Sequence, residues 1–317
     1  MILCAGESLI DFIGEEGKGM AHSEFFRPRV GGSPLNTAVG LSRLGVNVAF
    51  LTKVGNDYFG EKIRKFLREE KVLSKYIFIS QKRKTPIAFI ALSKNKVPEY
   101  EFYRVNTSDL DINETDIGKI DYKEIKLFHF GSISLINGNT ADSLVKIFKE
   151  FKKRKVITSL DPNVRENLIE DKKKYIHRLI DIMRDVDILK LSMEDLNFFF
   201  QEGDFEKFIK FLGRENKLTF LTLGEKGSLG FYQKKLYKMN ARKIEKIVDT
   251  TGCGDAYMVG ILYKIYEYRT LQLSESQIYE IMEFSSLLSS ITASNYGGAT
   301  SMPFVSDCLK YGCFINK

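Results

Sequence analysis

Apolar residues fall into two kinds of run along this chain. Short dense runs closed by polar tips alternate with longer stretches in which apolar positions recur every three or four residues. "MILCAGESLIDFIG" at the start, "VAFLTKVG" (48–55), "KVITSLDPN" (155–163), "DILKLS" (187–192) and "LTFLTLG" (218–224) are of the first kind and read as buried strands. "NTAVGLSRLG" (36–45) has helical periodicity and ends in glycine, and 60–71 predicts a helix with Ile63, Phe66 and Leu67 on one face. Strands alternating with helices imply a mostly parallel sheet wrapped on both faces. Ligands in such sheets gather beyond the carboxyl ends of the strands, so 7–11, 161–165, 190–195 and 222–227 are expected to share one rim.

Two segments break the rhythm. Residues 12–30 and 83–104 lack helical period and read as β-hairpins with turns at 17–19 and 94–98. Inserted between β/α units, they predict a small second sheet covering the main one. "PIAFIALS" (86–93) is largely apolar, more so than a thin exposed sheet tolerates alone. Its edge and outer face are expected to pair with the same element of a second subunit in a two-fold dimer, with Ile90 in the interface if it faces outward.

Composition narrows the class. The 317 residues are 44% hydrophobic and 28% charged, as in a globular protein, and no apolar run reaches membrane-spanning length. The first residues lack a basic leader, so cytoplasmic residence is the expectation. Net charge is +7, from 48 basic and 41 acidic residues. The lysines are spread over amphipathic segments such as "EKIRKFLREEK", which argues for solvated helix faces and against a nucleic-acid patch. The four cysteines and three histidines show no metal-ligand spacing.

The candidate chemistry lies in turns. In "DTTGCGDAY" (249–257), Gly252, Cys253 and Gly254 precede Asp255 at the mouth of an apolar helix. Bare backbone N–H groups at a helix start favour anions, although a carboxylate there also caps a helix. "GGSPLNTAVG" offers Gly31 and Gly32 for close approach and Asn36 as either helix cap or hydroxyl ligand. Asp11, at the end of the first strand, suits sugar hydroxyls as an acceptor-only group, or is a turn residue. "LDPNVR" presents Asp161, Asn163 and Arg165; "LKLSMEDL" presents Lys190, Glu194 and Asp195; and "TLGEKGSLGF" reads as strand–turn–strand through Gly224 and Gly227. No GxxxxGK[ST] or GxGxxG occurs, so neither a P-loop nor a dinucleotide fingerprint is available.

In their order and spacing, "GGSPLNTA", "DPNVR", "TLGEKGS" and "DTTGCGDAY" resemble the ribokinase-like, phosphofructokinase B type sugar kinases over essentially the whole chain. The resemblance implies a three-layer α/β/α fold with a central mainly parallel sheet. It implies one domain over 1–317, with lid segments at about 12–30 and 83–107. Asp255 is then the general base, and the N–H groups of Gly252, Cys253 and Gly254 are the anion hole. Asp11, Gly31, Gly32, Asn36, Tyr103, Arg104 and Arg165 hold the sugar. Asn163, Lys190, Thr222, Gly224 and Gly227 lie along ATP. Asp249, Thr251, Gly297 and Ser301 bind a monovalent cation, K+ in the resemblance, and Asp195 is associated with Mg2+.

Two positions depart from the family pattern. Cys253 stands where alanine is usual, which predicts retained activity with sensitivity to oxidation. The magnesium-associated NxxE appears as Ser192-Met-Glu-Asp195, one methylene short. "EFYRVNTSDLDI" (101–112) and "LFHFGSISLIN" (127–137) resemble fructokinases most, which makes fructose the expected substrate. The runner-up is 2-keto-3-deoxygluconate, whose carboxylate Arg104 and Arg165 could meet, although Asp109 favours a neutral sugar. A sugar- or nucleotide-binding regulator without chemistry is the alternative from another class.

Overall fold

In the computed structural model, which describes residues 1–312 apart from 16, 93–97, 202 and 244–245, Ile2 and Cys4 join one apolar core and Leu3 and Ala5 another. That alternation is the period-two geometry of a strand buried on both faces. The chain begins β1 (Ile2–Ala5), β2 (Leu9–Ile13), β3 (Arg27–Gly31), α1 (Ser33–Arg43), β4 (Val48–Gly55), α2 (Tyr58–Glu69), β5 (Ile77–Ser80), β6 (Ile87–Leu92) and β7 (Pro98–Tyr103). It continues α3 (Glu114–Ile117), β8 (Leu127–Gly131), α4 (Gly138–Lys153), β9 (Ile157–Asp161), α5 (Lys172–Asp185), β10 (Ile188–Ser192), α6 (Met193–Phe199) and α7 (Phe205–Leu212). The last elements are β11 (Leu218–Thr222), β12 (Ser228–Tyr232), β13 (Lys235–Met239), α8 (Cys253–Tyr268), α9 (Glu275–Ala293) and α10 (Val305–Lys310).

The main sheet has the order β13-β12-β11-β10-β9-β8-β1-β4-β5. Every pairing from β5 to β11 is parallel, and β12 and β13 add an antiparallel edge. Residues of α1, α2, α8 and α9 pack on the Ile2/Cys4 side, and residues of α4, α5 and α7 on the Leu3/Ala5 side. The result is the expected α/β/α sandwich. A four-stranded sheet, β3-β2-β6-β7, forms the second, smaller layer of strands, with β2 and β6 parallel at its centre.

Three boundaries differ from the sequence expectation. The opening apolar run is two strands in two sheets, not one. The chain breaks at Gly6, where φ is +153° and a Cβ would come within 2.6 Å of Pro34 Cγ. Asp11 therefore sits inside β2 in the small sheet rather than at the end of the first strand, and that sheet begins at Leu9 instead of residue 12. Helix α1 starts at Ser33 with Gly32 as its N-cap and a proline in its first turn, so Asn36 lies one turn inside and is not the cap. The turn expected at 94–98 falls almost wholly outside the described residues.

Candidate active site

The mouth of α8 faces the rim where β9, β10 and β11 end. Gly252 caps the helix with a φ of +81°, and a Cβ there would stand 3.0 Å from Gly298 Cα, so the turn admits only glycine comfortably. Cys253 N–H donates to Thr250 O at 3.2 Å, whereas the N–H groups of Gly252 and Gly254 find no acceptor among the described residues. The turn thus leaves two donors open, not the three expected. Asp255, 5% exposed, lies in the first turn of α8. Its Oδ1 accepts from Ser33 Oγ at 2.6 Å and its Oδ2 from Asn36 Nδ2 at 2.8 Å, both from the first turns of α1. Burial raises its pKa; the two hydrogen bonds, Lys190 and Arg165 pull it back.

Under this turn lies a buried ion pair. Lys190 Nζ from β10 donates to Asp161 Oδ2 from β9 at 2.8 Å, with both side chains almost wholly buried. A Cβ on Gly254 would sit 3.0 Å from that Nζ, which places the ammonium directly beside the open donors. Burial pushes Asp161 up to about 7 against the pull of Lys190. Burial also works against the charge on Lys190, but Asp161, Asp195 and Asp255 raise its pKa. Asp161 Oδ1 has no partner among the described residues.

Strand register sorts the small sheet into two faces. Asp11 pairs with Arg29 and Ala88, and Ala88 with Phe102, so these share a face; Ile13, Ile90 and Tyr100 follow on the same side. Tyr103 pairs with Ile87 and lies on the opposite face, 58% exposed, its ring 5.7 Å from Phe89. Tyr103 is therefore removed from Asp11, contrary to its assignment as a sugar ligand. Ile90 is on the Asp11 side and does not face outward. The Asp11 carboxylate has no hydrogen-bond partner among the described residues; burial pushes it up to about 7, moderated by Arg165. A Cβ on Gly31 would lie 2.0 Å from Asp11 Oδ2, and one on Gly32 would lie 2.5 Å from Glu7 O. The two glycines let the β3–α1 corner pass against those groups. Among the described residues Arg165 donates only to Val164 O, leaving most of its fork without a partner. Arg104 is buried against Asp109, 2.6 Å from Nε to Oδ2, and its Nη2 has no partner among the described residues.

On the other side of the turn, Thr222 ends β11 and donates to Leu191 O at 3.3 Å. Gly224 adopts φ +59° with open space beside it. Gly227 is different: a Cβ there would strike Met239 O at 2.0 Å, so its bareness serves β12–β13 packing. Asn163, at φ +40° beyond β9, is half-buried. Asp249 ties two loops together, accepting from Thr251 N and Gly297 N, each at 2.9 Å. Ser301 Oγ donates to the carbonyls of Gly297 and Gly298. The four cation candidates thus meet in one place, rich in carbonyl and carboxylate oxygen. Asp195 accepts from Ser192 N and Oγ and from Val164 N, at 2.7, 2.8 and 2.7 Å. It caps α6 with both oxygens engaged, which removes it as a free ligand, whereas Glu194 beside it is exposed.

Residues 1–304 match the profile described as pfkB family carbohydrate kinase. The chain belongs to that family. Among pfkB relatives, probable fructokinase-5 of Arabidopsis thaliana is 31% identical over 98% of this chain and 96% of its own length. Fructokinase-2 of Solanum lycopersicum is also 31% identical, over 98% and 95%. An uncharacterized sugar kinase from Pyrococcus horikoshii, solved in complex with ATP, superposes with a TM-score of 0.86 at 28% identity, covering 98% of both chains. The fructokinase of Xylella fastidiosa shares the fold with a TM-score of 0.86 at 24% identity, covering 98% and 97%.

Three residues around this turn received no role from the sequence. Ser33 was hidden inside a glycine-rich motif. Glu7, 2% exposed, takes Ser33 N–H on Oε1 at 3.2 Å and Ser134 Oγ on Oε2. Asp161 was noticed only as part of "DPNVR"; two acidic or basic residues closing neighbouring parallel strands were the available signal. Cys253 also reads differently in place. Burial, with Asp249 and Asp255, pushes its thiol up to about 12, and Sγ turns toward Ser289 O at 3.6 Å. Such a thiol stays protonated and is a poor target for oxidation.

Proposed function

We infer that this chain is an ATP-dependent sugar kinase of the fructokinase type, transferring phosphate to the primary hydroxyl of fructose. The observation that carries the reading is Asp255, buried beside two backbone donors without an acceptor among the described residues and next to the Lys190 ammonium. Asp255 takes the proton of the attacking hydroxyl as the bond to phosphorus forms. The Gly252 and Gly254 N–H groups and Lys190 hold the charge on the transferring phosphoryl group, already oriented before reaction. Asp11, Arg165 and Asn36 line the sugar side, and the Oδ1 of Asn36, without a partner among the described residues, accepts a hydroxyl.

Mg2+ accompanies the nucleotide in this reading and screens its phosphate charge. With Asp195 spent on its cap, Glu194 is the carboxylate left to meet its water shell. The oxygens around Asp249, Thr251, Gly297 and Ser301 suit K+. No helix among the described residues is long and apolar enough to cross a membrane, and we take the cytoplasm, where ATP is available, as the compartment.

Fructose is favoured over 2-keto-3-deoxygluconate because Asp109 already neutralises Arg104, and the other guanidinium, Arg165, already acts on the buried Asp11 carboxylate. The outer face of the small sheet supports a homodimer. Phe26, Phe89 and Tyr103 form an aromatic cluster there, with Phe25 exposed nearby at 70%, while Phe12 ties the sheet to Phe59 of α2. Pairing of two such faces covers them, and sedimentation should give twice the 36.4 kDa chain mass.

ADP release measured with fructose, ribose, 2-keto-3-deoxygluconate and adenosine tests the substrate. Fructose should give the highest kcat/KM; a preference for the keto acid would overturn it. Asp255→Asn should lower turnover by about 100- to 10,000-fold while ATP still binds. A variant retaining a third of wild-type turnover would sink the general-base assignment.

A further inference from the structure

The α1 corner does more than shape the sugar pocket. Ser33 Oγ donates to Asp255 Oδ1 at 2.6 Å, the shorter of the two hydrogen bonds to that carboxylate. Ser33 is itself held. Gly32, at φ +124°, starts the helix, and Ser33 N–H donates to Glu7 Oε1 at 3.2 Å. Glu7 is braced in turn by Ser134 Oγ, and Glu7 N–H donates to the same hydroxyl at 2.6 Å. The connection between β1 and β2, the first turn of α1 and the first turn of α8 are thereby joined through buried polar groups.

We propose that Ser33 is a positioning residue for phosphoryl transfer, holding Asp255 ionised and aimed in the free enzyme through its short hydroxyl hydrogen bond. This rests on Asp255 being the general base. A carboxylate this deeply buried is driven toward its protonated form, which cannot accept the sugar's proton. A donor fixed on Oδ1 favours the ionised form and fixes the plane of the carboxylate. Other charges face Asp255 too: Lys190 from β10 and Arg165 from the loop after β9 favour its ionised form, and Asp161 at the end of β9 opposes it. Cys253, on Asp255's own helix, stays a neutral thiol. The two cations act on Asp255 through space, with no hydrogen bond to it among the described residues, whereas Ser33 makes direct contact.

The experiment is the pH dependence of kcat/KM for fructose, which reports the free enzyme's ionisations. It compares the wild type with Ser33→Ala and Ser33→Thr. Loss of the hydroxyl should move the acid limb upward by about one pH unit, so kcat/KM falls about tenfold on the acid side. On the alkaline plateau the loss should be smaller. Ser33→Thr, which keeps the hydroxyl, should return the limb toward the wild-type position. An acid limb in the same place in Ser33→Ala, with kcat/KM lowered equally at every pH, would overturn the proposal in favour of a packing role. The general-base reading fails separately, on Asp255→Asn retaining turnover. If Asp255→Asn is inactive and the Ser33→Ala limb does not move, only the Ser33 proposal is lost.

Discussion

Replacing Lys190 with methionine separates a structural from a catalytic role of one buried charge. Its Nζ lies 2.8 Å from Asp161 Oδ2 and beside Gly254. An anionic oxygen on the Gly254 N–H would stand roughly 5 Å from Nζ, and at an effective dielectric of about 20 that is worth about 3 kcal/mol per unit charge. Charge gathers there mainly in the transition state, so kcat should fall by about 100-fold, with a smaller change in the KM for fructose. Stability responds through Asp161. Its folded pKa, already raised to about 7, rises further without its partner. A carboxyl whose folded pKa exceeds its unfolded value is fully tolerated below the unfolded value and destabilises as pH rises toward the folded one. The melting-temperature gap between Lys190→Met and wild type should therefore be wider at pH 8 than at pH 5. Breaking a buried pair costs about 3–5 kcal/mol, and removing the orphaned charge recovers much of that. Lys190→Met/Asp161→Asn should regain thermal stability at pH 8, followed by circular dichroism, yet stay slow in ADP release. A double variant that regained turnover, or a single variant within threefold of wild type, would refute the charge-stabilising role.

Two other outcomes test the surroundings of the site. Potassium should raise kcat relative to a bulky organic cation at matched ionic strength, and Asp249→Ala should erase that difference; equal rates in both salts would remove the cation loop from the mechanism. Tyr103→Ala should leave the fructose KM within about twofold, since it lies on the face away from Asp11, while weakening self-association in sedimentation; a tenfold rise in KM would restore it to the sugar site.

The chemistry was most legible where it is local. "GCGD" before an apolar run contains cap, turn and carboxylate within four residues, and alternating runs were enough to predict the parallel sheet. Features that depend on register were not legible. Whether Tyr103 or Tyr100 shares a face with Asp11 follows from pairings across β2, β6 and β7, three strands from two distant stretches. The split between β1 and β2 hung on Gly6, whose need is set by Pro34, 28 positions away in sequence and in contact only after folding. Asn36 looked like a cap because its amide suits one, but Gly32 and Pro34 already start the helix and free the amide for Asp255. Lys190 and Asp161 meet because β9 and β10 are neighbours, an adjacency that composition does not encode.

The pairing of β2 with β6 has a consequence for how the chain acquires its shape. The small sheet is no detachable insert, because its two hairpins are separated by α1, β4, α2 and β5. Neither hairpin has its central neighbour until that whole stretch has docked, and such distant closures are slow. On a growing chain, β2 and β3 emerge well before β6 and must wait with an unpaired, apolar edge. The period before β6 arrives is when this protein is most exposed to wrong partners, because Phe12 and Phe26 then lack the Phe89 ring that packs against them.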